Sequence, residues 1–104
     1  MNGVGKYRVV FEGSPITGVG FRVFLHDIAE YLSFKKFSAR NIGVDKVEIL
    51  IECSRDDVDR FIKYVKSDIP ERVNIRSVPI EEYNGSIPDI ESSYRLLISS
   101  SWIR

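Results

Sequence analysis

Two hydrophobic rhythms alternate along this chain, and their order constrains its fold more than any other feature. Period-two runs of β-branched and aromatic residues mark strands, and apolar residues three and four apart mark helices. The first strand is Tyr7-Arg8-Val9-Val10-Phe11-Glu12, stopped by Gly13-Ser14-Pro15. From Phe21 the rhythm changes: Phe21, Phe24, Leu25, Ile28, Ala29 and Leu32 form the stripe of an amphipathic helix that fades near Ser33. Residues 36–41 and 46–53 read as two strands joined by Ile42-Gly43-Val44-Asp45, a connection of hairpin length. Ser54 is a helix N-cap, with Asp56 and Asp57 in the first turn, where the helix dipole favours negative charge. That second helix runs to about Ser67 and buries Val58, Phe61, Ile62 and Val65; Ile69-Pro70 ends it, because the residue before proline is pushed out of the helical region. Residues 73–78 alternate as a fourth strand, and Pro79 favours an edge position for its far end. Residues 83–92 read as turn and loop, residues 94–99 as a short last strand, and Trp102-Ile103-Arg104 as a tail.

Strand, helix, strand, strand, helix, strand is the split β-α-β pattern. It predicts an α+β ferredoxin-like sandwich: βαββαβ plus a short C-terminal strand, an antiparallel or mixed sheet with two helices on one face. At 104 residues the chain is expected to form one domain, 1–104, with a core that needs no metal or disulfide.

Several function classes drop out on composition. Fifteen basic and fifteen acidic residues leave no net charge, which argues against nucleic acid as a partner. The chain lacks the unbroken apolar run of about 20 residues that crosses a bilayer. The start Met1-Asn2-Gly3-Val4-Gly5-Lys6 has no secretory pattern, so the expected location is cytoplasmic. Cys53 is the sole cysteine and sits in an apolar strand, where it reads as a small buried residue. A single histidine, His26, leaves no His/Cys metal cluster and no triad that does not use it; no metal or other cofactor is expected. His26 falls off the buried stripe marked by Leu25 and Ile28 and reads as a half-exposed helix residue. Ser14 and Thr17 have no base nearby and read as loop hydroxyls. The aromatics Tyr7, Phe11, Phe21, Phe24 and Phe61 read as core rather than as base-stacking platforms.

One loop stands out. Gly13-Ser14-Pro15-Ile16-Thr17-Gly18-Val19-Gly20-Phe21-Arg22 leads from a strand into a helix N-terminus, where backbone amides without helical acceptors and the positive dipole end favour an anion. Two glycines one residue apart let successive amides point inward. Arg22 adds a guanidinium fork that matches phosphate oxygens, in a helical turn where the dipole disfavours a cation. A glycine-rich turn followed by a solvated arginine accounts for the same residues equally well. Asn41 continues the parity of Phe37 and Ala39 on its strand, and pattern alone has it starting the turn to Gly43 by bonding its own backbone.

Gly18-Val19-Gly20-Phe21-Arg22 resembles the acylphosphatase signature, in which a first-strand glycine is followed by a short loop ending Gly-Val-Gly-Phe-Arg. Phe24, Ala29, Asn41 and Val47-Glu48 extend the likeness, and the element order agrees over essentially the whole chain. The resemblance implies an enzyme that hydrolyses the carboxyl-phosphate bond of small acyl phosphates. It implies that amides of Ile16, Thr17, Gly18, Val19, Gly20, Phe21 and Arg22 cradle phosphate, that the Arg22 side chain ligates it, and that Asn41 orients the attacking water. Such a hydrolase needs charge stabilisation and water placement more than acid catalysis, because a carboxylate leaves readily. It is expected to work as a metal-independent monomer. Departures from the family pattern fall in the entry half of the loop: one extra residue after Gly13, Pro15 with no amide hydrogen, and Thr17 where glutamine is usual. In the hairpin, Val44-Asp45 replaces Asp-Gly and Phe37 replaces a glycine. The alternative is a non-catalytic module of the same kind that binds a phosphorylated or carbamoylated ligand or partner, as similar domains do within hydrogenase maturation proteins.

Overall fold

A computed structural model describes residues 3–16, 19–93 and 95. Its elements are β1 (Gly5–Ser14), α1 (Val19–Tyr31), β2 (Lys36–Asn41), β3 (Lys46–Cys53), α2 (Arg55–Asp68), β4 (Asn74–Ser77) and β5 (Ile80–Glu82). A third, short helical stretch begins at Ile90. All pairings are antiparallel, in the order β2-β3-β1-β4, with β5 also on β1. This is the ferredoxin-like α+β sandwich. No described helix is long and apolar enough to cross a membrane.

The alternation seen in the sequence becomes two unlike sheet faces. Val9 and Phe11 of β1, Phe37 of β2, and Val47, Ile49 and Ile51 of β3 are all fully buried on the helix side. They meet Leu25 and Ala29 of α1 and Val58, Phe61 and Val65 of α2 in one core. Phe61 lies edge-on to both Phe11 and Phe37, with ring centroids 6.3 and 5.7 Å apart. Cys53 is buried at the edge of this core, and burial pushes its thiol up to about 12, which makes it inert. The other face carries a chain of charges: Glu48 accepts from Arg8 Nε at 2.6 Å and Arg40 Nε at 2.8 Å, and Arg8 also donates to Glu81 at 2.9 Å. Burial alone would raise the Glu48 carboxyl, but the Arg8 and Arg40 hydrogen bonds outweigh it and hold the group below its usual range.

Local signals place the element ends. Ser54 accepts from the Asp57 amide at 3.1 Å, and Ile69 is extended before Pro70. Pro79 has no amide hydrogen, so the strand opposite β1 breaks there. Residues on both sides of the break stay in one register, with Ser77 opposite Glu12 and Ile80 opposite Val9, and the Val10 amide donates to the Pro79 carbonyl at 3.1 Å.

The C-terminal part differs from expectation. A short strand follows β4 at Ile80–Glu82, where the sequence suggests none. Arg95 is helical, and the other positions of that expected strand lie outside the described residues, as does the 102–104 tail. The physical reason for the strand at Ile80–Glu82 is that the edge of β1 beyond β4 offers it a ladder. The chain then crosses to the opposite edge, where the Phe37 amide donates to the Pro88 carbonyl at 3.0 Å and the Ile90 amide to the Lys35 carbonyl at 2.8 Å.

Candidate functional site

The strand order brings three connections to one end of the sandwich. β1 and β2 both run antiparallel to β3, so they run parallel to each other, and α1 returns antiparallel to both. The β1–α1 loop, the β2–β3 hairpin and the α2–β4 connection therefore meet at that end. The Gly13 amide donates to the Asp45 carbonyl at 3.0 Å, and the Asp45 carboxylate accepts from Arg76 at 2.6 Å, so the hairpin is tied to the end of β1 and to β4. Gly13 is required here by close approach: a Cβ would lie 2.9 Å from the Ile75 Cα and inside contact distance of the Asn74 carbonyl oxygen.

Ile16 is fully buried and anchors the loop in the core. The Ser14–Pro15 peptide is cis. Thr17 and Gly18 lie outside the described residues. α1 starts at Val19, two residues before the apolar stripe suggests, so the amides of Val19, Gly20 and Phe21 lie in its first turn, ahead of the first i−4 helical bond. That turn holds no acidic side chain. Phe21 is buried, edge-on to Phe11 at 6.2 Å, and Arg22, half-buried, follows it.

Asn41 ends β2, paired with Val47 of β3, and is exposed. It shares the parity of the buried Phe37 and so lies on the helix side of the strand. Just before it, Arg40 clasps Glu48 across the ladder from the other face, and the Ile42 amide closes the hairpin on the Lys46 carbonyl at 3.1 Å. The His26 ring stands edge-on over Phe37 at 4.8 Å. Stepping back one turn on α1 from His26 reaches Arg22, and stepping four residues on along β2 from Phe37 reaches Asn41. Those steps point the same way, about 6 Å along the helix and about 13 Å along the strand. Arg22 and Asn41 thus lie at the same end of the molecule, with Asn41 further out.

His26 itself is fully buried, not half-exposed as its place beside the stripe suggests. The C-terminal segment covers it, setting Ser93 Oγ 3.1 Å from His26 Nε2. Burial, and secondarily the Arg22 charge, lowers the imidazole to about 4, so it is neutral behind a cationic neighbour. Local periodicity has no signal for this, because the cover arrives from 67 residues along the chain.

A cavity of about 350 Å³ flanks the loop on the side away from Asn41, between Gly20 and Phe24 on one wall and Pro70, Arg72 and Val73 on the other. No sequence motif marks its far wall. Among the described residues no group of three or more His, Cys, Asp or Glu is arranged to hold a metal.

The first-turn amides and the positive end of α1 make this end of the sandwich electrostatically favourable to an anion. The fold defines a ferredoxin-like α+β sandwich whose first helix presents its N-terminus at this end. The chain belongs to the acylphosphatase family, whose model matches residues 7–92. It is 38% identical over 80 residues to a probable carbamoyltransferase HypF of Methanocaldococcus jannaschii; the match covers 77% of this chain and 10% of that protein. It is 32% identical over 80 residues to an acylphosphatase of Caldivirga maquilingensis, covering 77% of this chain and 82% of the relative. Among solved structures, full-length HypF in its phosphate- and nucleotide-bound form superposes with a TM-score of 0.69 at 23% identity, over 83% of this chain and 11% of that one. The acylphosphatase of Bacillus subtilis superposes with a TM-score of 0.65 at 24% identity, over 81% of this chain and 89% of that one.

Proposed function

We propose that this protein is a metal-independent acylphosphatase that hydrolyses small acyl phosphates to a carboxylate and inorganic phosphate. The observation that supports this most is the placement of Arg22 and Asn41, on separate elements, at the one end of an acylphosphatase-family sandwich where the first turn of α1 presents its amides. In this reading Ile16, Thr17, Gly18, Val19, Gly20, Phe21 and Arg22 wrap the terminal phosphoryl group, and the Arg22 guanidinium spans two of its oxygens. The Asn41 amide oxygen accepts a hydrogen bond from a water and aims its lone pair at phosphorus. Water forms the new P–O bond as the bond to the acyl oxygen breaks; the electron pair leaves with the carboxylate, and the water's proton passes to solvent or product phosphate. Charge on the equatorial oxygens is met by donors already in place, which is where such a site gains its rate. The enzyme acts as a monomer.

Hydrolysis of benzoyl phosphate in the presence of a chelator tests this. Wild type is expected to turn over, and Arg22→Ala and Asn41→Ala, both folded, to lose about 100- to 1,000-fold. A folded wild type without turnover overturns the reading. The second reading is then favoured: a module binding a phosphorylated or carbamoylated ligand, supported by the 38% identity to one tenth of the HypF protein.

A further inference from the structure

The cavity beside the β1–α1 loop bears on the other half of the substrate. Pro15 and Gly20 place it on the flank of the proposed phosphate loop, and a Cβ at Gly20 would meet nothing within 4 Å, so the backbone is open on that side. Its walls are apolar where Phe21, Phe24 and Val73 meet; the Phe21 and Phe24 rings lie tilted to each other with centroids 5.8 Å apart. Arg72, exposed, is the one charged residue of its lining and makes no ion pair among the described residues. The sheet order matters here: the β2–β3 hairpin with Asn41 lies to one side of β1, and β4 with the preceding residues 70–73 lies to the other. In-line displacement at phosphorus needs the attacking water and the leaving oxygen on opposite sides. With the water at Asn41, the acyl group departs toward the cavity.

We infer that this cavity binds the acyl half of the substrate and selects acyl groups with an apolar body and an acidic terminus, the body against Phe24 and Val73 and the terminus at Arg72. The inference rests on the acylphosphatase reading above. A volume of about 350 Å³ is within the range of small-molecule sites and exceeds what an acetyl group fills.

The test compares acetyl, benzoyl and 3-carboxybenzoyl phosphate as substrates of wild type, Val73→Phe and Arg72→Gln, with calorimetric binding of acetylphosphonate, benzoylphosphonate and 3-carboxybenzoylphosphonate as a readout independent of turnover. Val73→Phe fills the cavity and is expected to lower the benzoyl-to-acetyl ratio of kcat/KM about tenfold. Arg72→Gln, at an exposed position that does not bear on folding, is expected to lower the carboxybenzoyl-to-benzoyl ratio about fivefold. Ratios equal to wild type in both variants, in turnover and in phosphonate binding, overturn the inference while the hydrolase reading stands. If no substrate is turned over but the phosphonate ratios fall as expected, the hydrolase reading fails and the acyl site holds. If there is neither turnover nor phosphonate binding, both fail.

Discussion

Arg22 sits where a helix least favours a cation, in the first turn of α1, a turn that contains no acidic residue. An oxyanion at that terminus reverses the balance, since it meets the amides, the dipole and the guanidinium together. Millimolar inorganic phosphate is therefore expected to raise the melting temperature of wild type and not of Arg22→Ala. Arg22→Lys is expected to recover part of that shift but little of the turnover, because an ammonium lacks the fork that grips two oxygens. Equal shifts in wild type and Arg22→Ala would place the anion elsewhere. The same scale shows what single residues reveal in a sequence. Arg22 is legible because its position breaks a local rule. Asn41 is not: pattern alone reads it as the start of a turn, and its interest comes from where β2 ends relative to α1. Arg40 has no role that the sequence assigns, yet its bond to Glu48 at 2.8 Å ties down the strand just before Asn41.

At the scale of elements, β1 organises the site. Its end is pinned by β4 on one side and by the Asp45 carbonyl on the other, and Gly13 is the point where the strands come closest. Gly13→Ala is expected to push β4 away from β1 and destabilise the fold by about 1–3 kcal/mol, read by chemical denaturation. Because the loop springs from this point, the variant is also expected to weaken phosphate stabilisation. A loss of stability with unchanged phosphate response would show that the loop is held by Ile16 instead. Strands β2 and β3 and helix α2 have their ends where periodicity and capping residues put them, since those signals are local: the Ser54 cap, the Pro70 stop, the alternation of residues 46–53. β5 escapes such reading. Ile80-Glu81-Glu82 has little strand character of its own and is extended because β1 offers it a ladder.

For the molecule as a whole, His26 couples stability to pH. Arg22 on α1, Phe37 on β2 and Ser93 on the C-terminal stretch lie around it, and burial with the Arg22 charge disfavours the charged form. Its folded value of about 4 lies below the ordinary 6.5, so the unfolded chain binds the proton first. The stability its neutral form contributes is full above pH 6.5 and is lost as pH falls from there toward 4, by on the order of 3 kcal/mol. Urea denaturation from pH 7 to 4 is expected to show this slope in wild type and a flatter one in His26→Gln. Matching slopes would remove His26 as the source.

The amino-acid sequence determined the element order, the two faces of the sheet and the anion-friendly entry to α1, because each depends on residues within a few positions of one another. Tertiary structure alone decided which ends meet: the proposed site draws on α1, β2 and the α2–β4 connection, which adjoin only because β1 and β2 run parallel through β3. It also buried His26 beneath a segment distant in the chain and made residues 90–93 helical where local pattern reads a loop up to residue 92. A contact between remote segments is set by topology and the shared core, and neither leaves a period or a spacing in the local sequence.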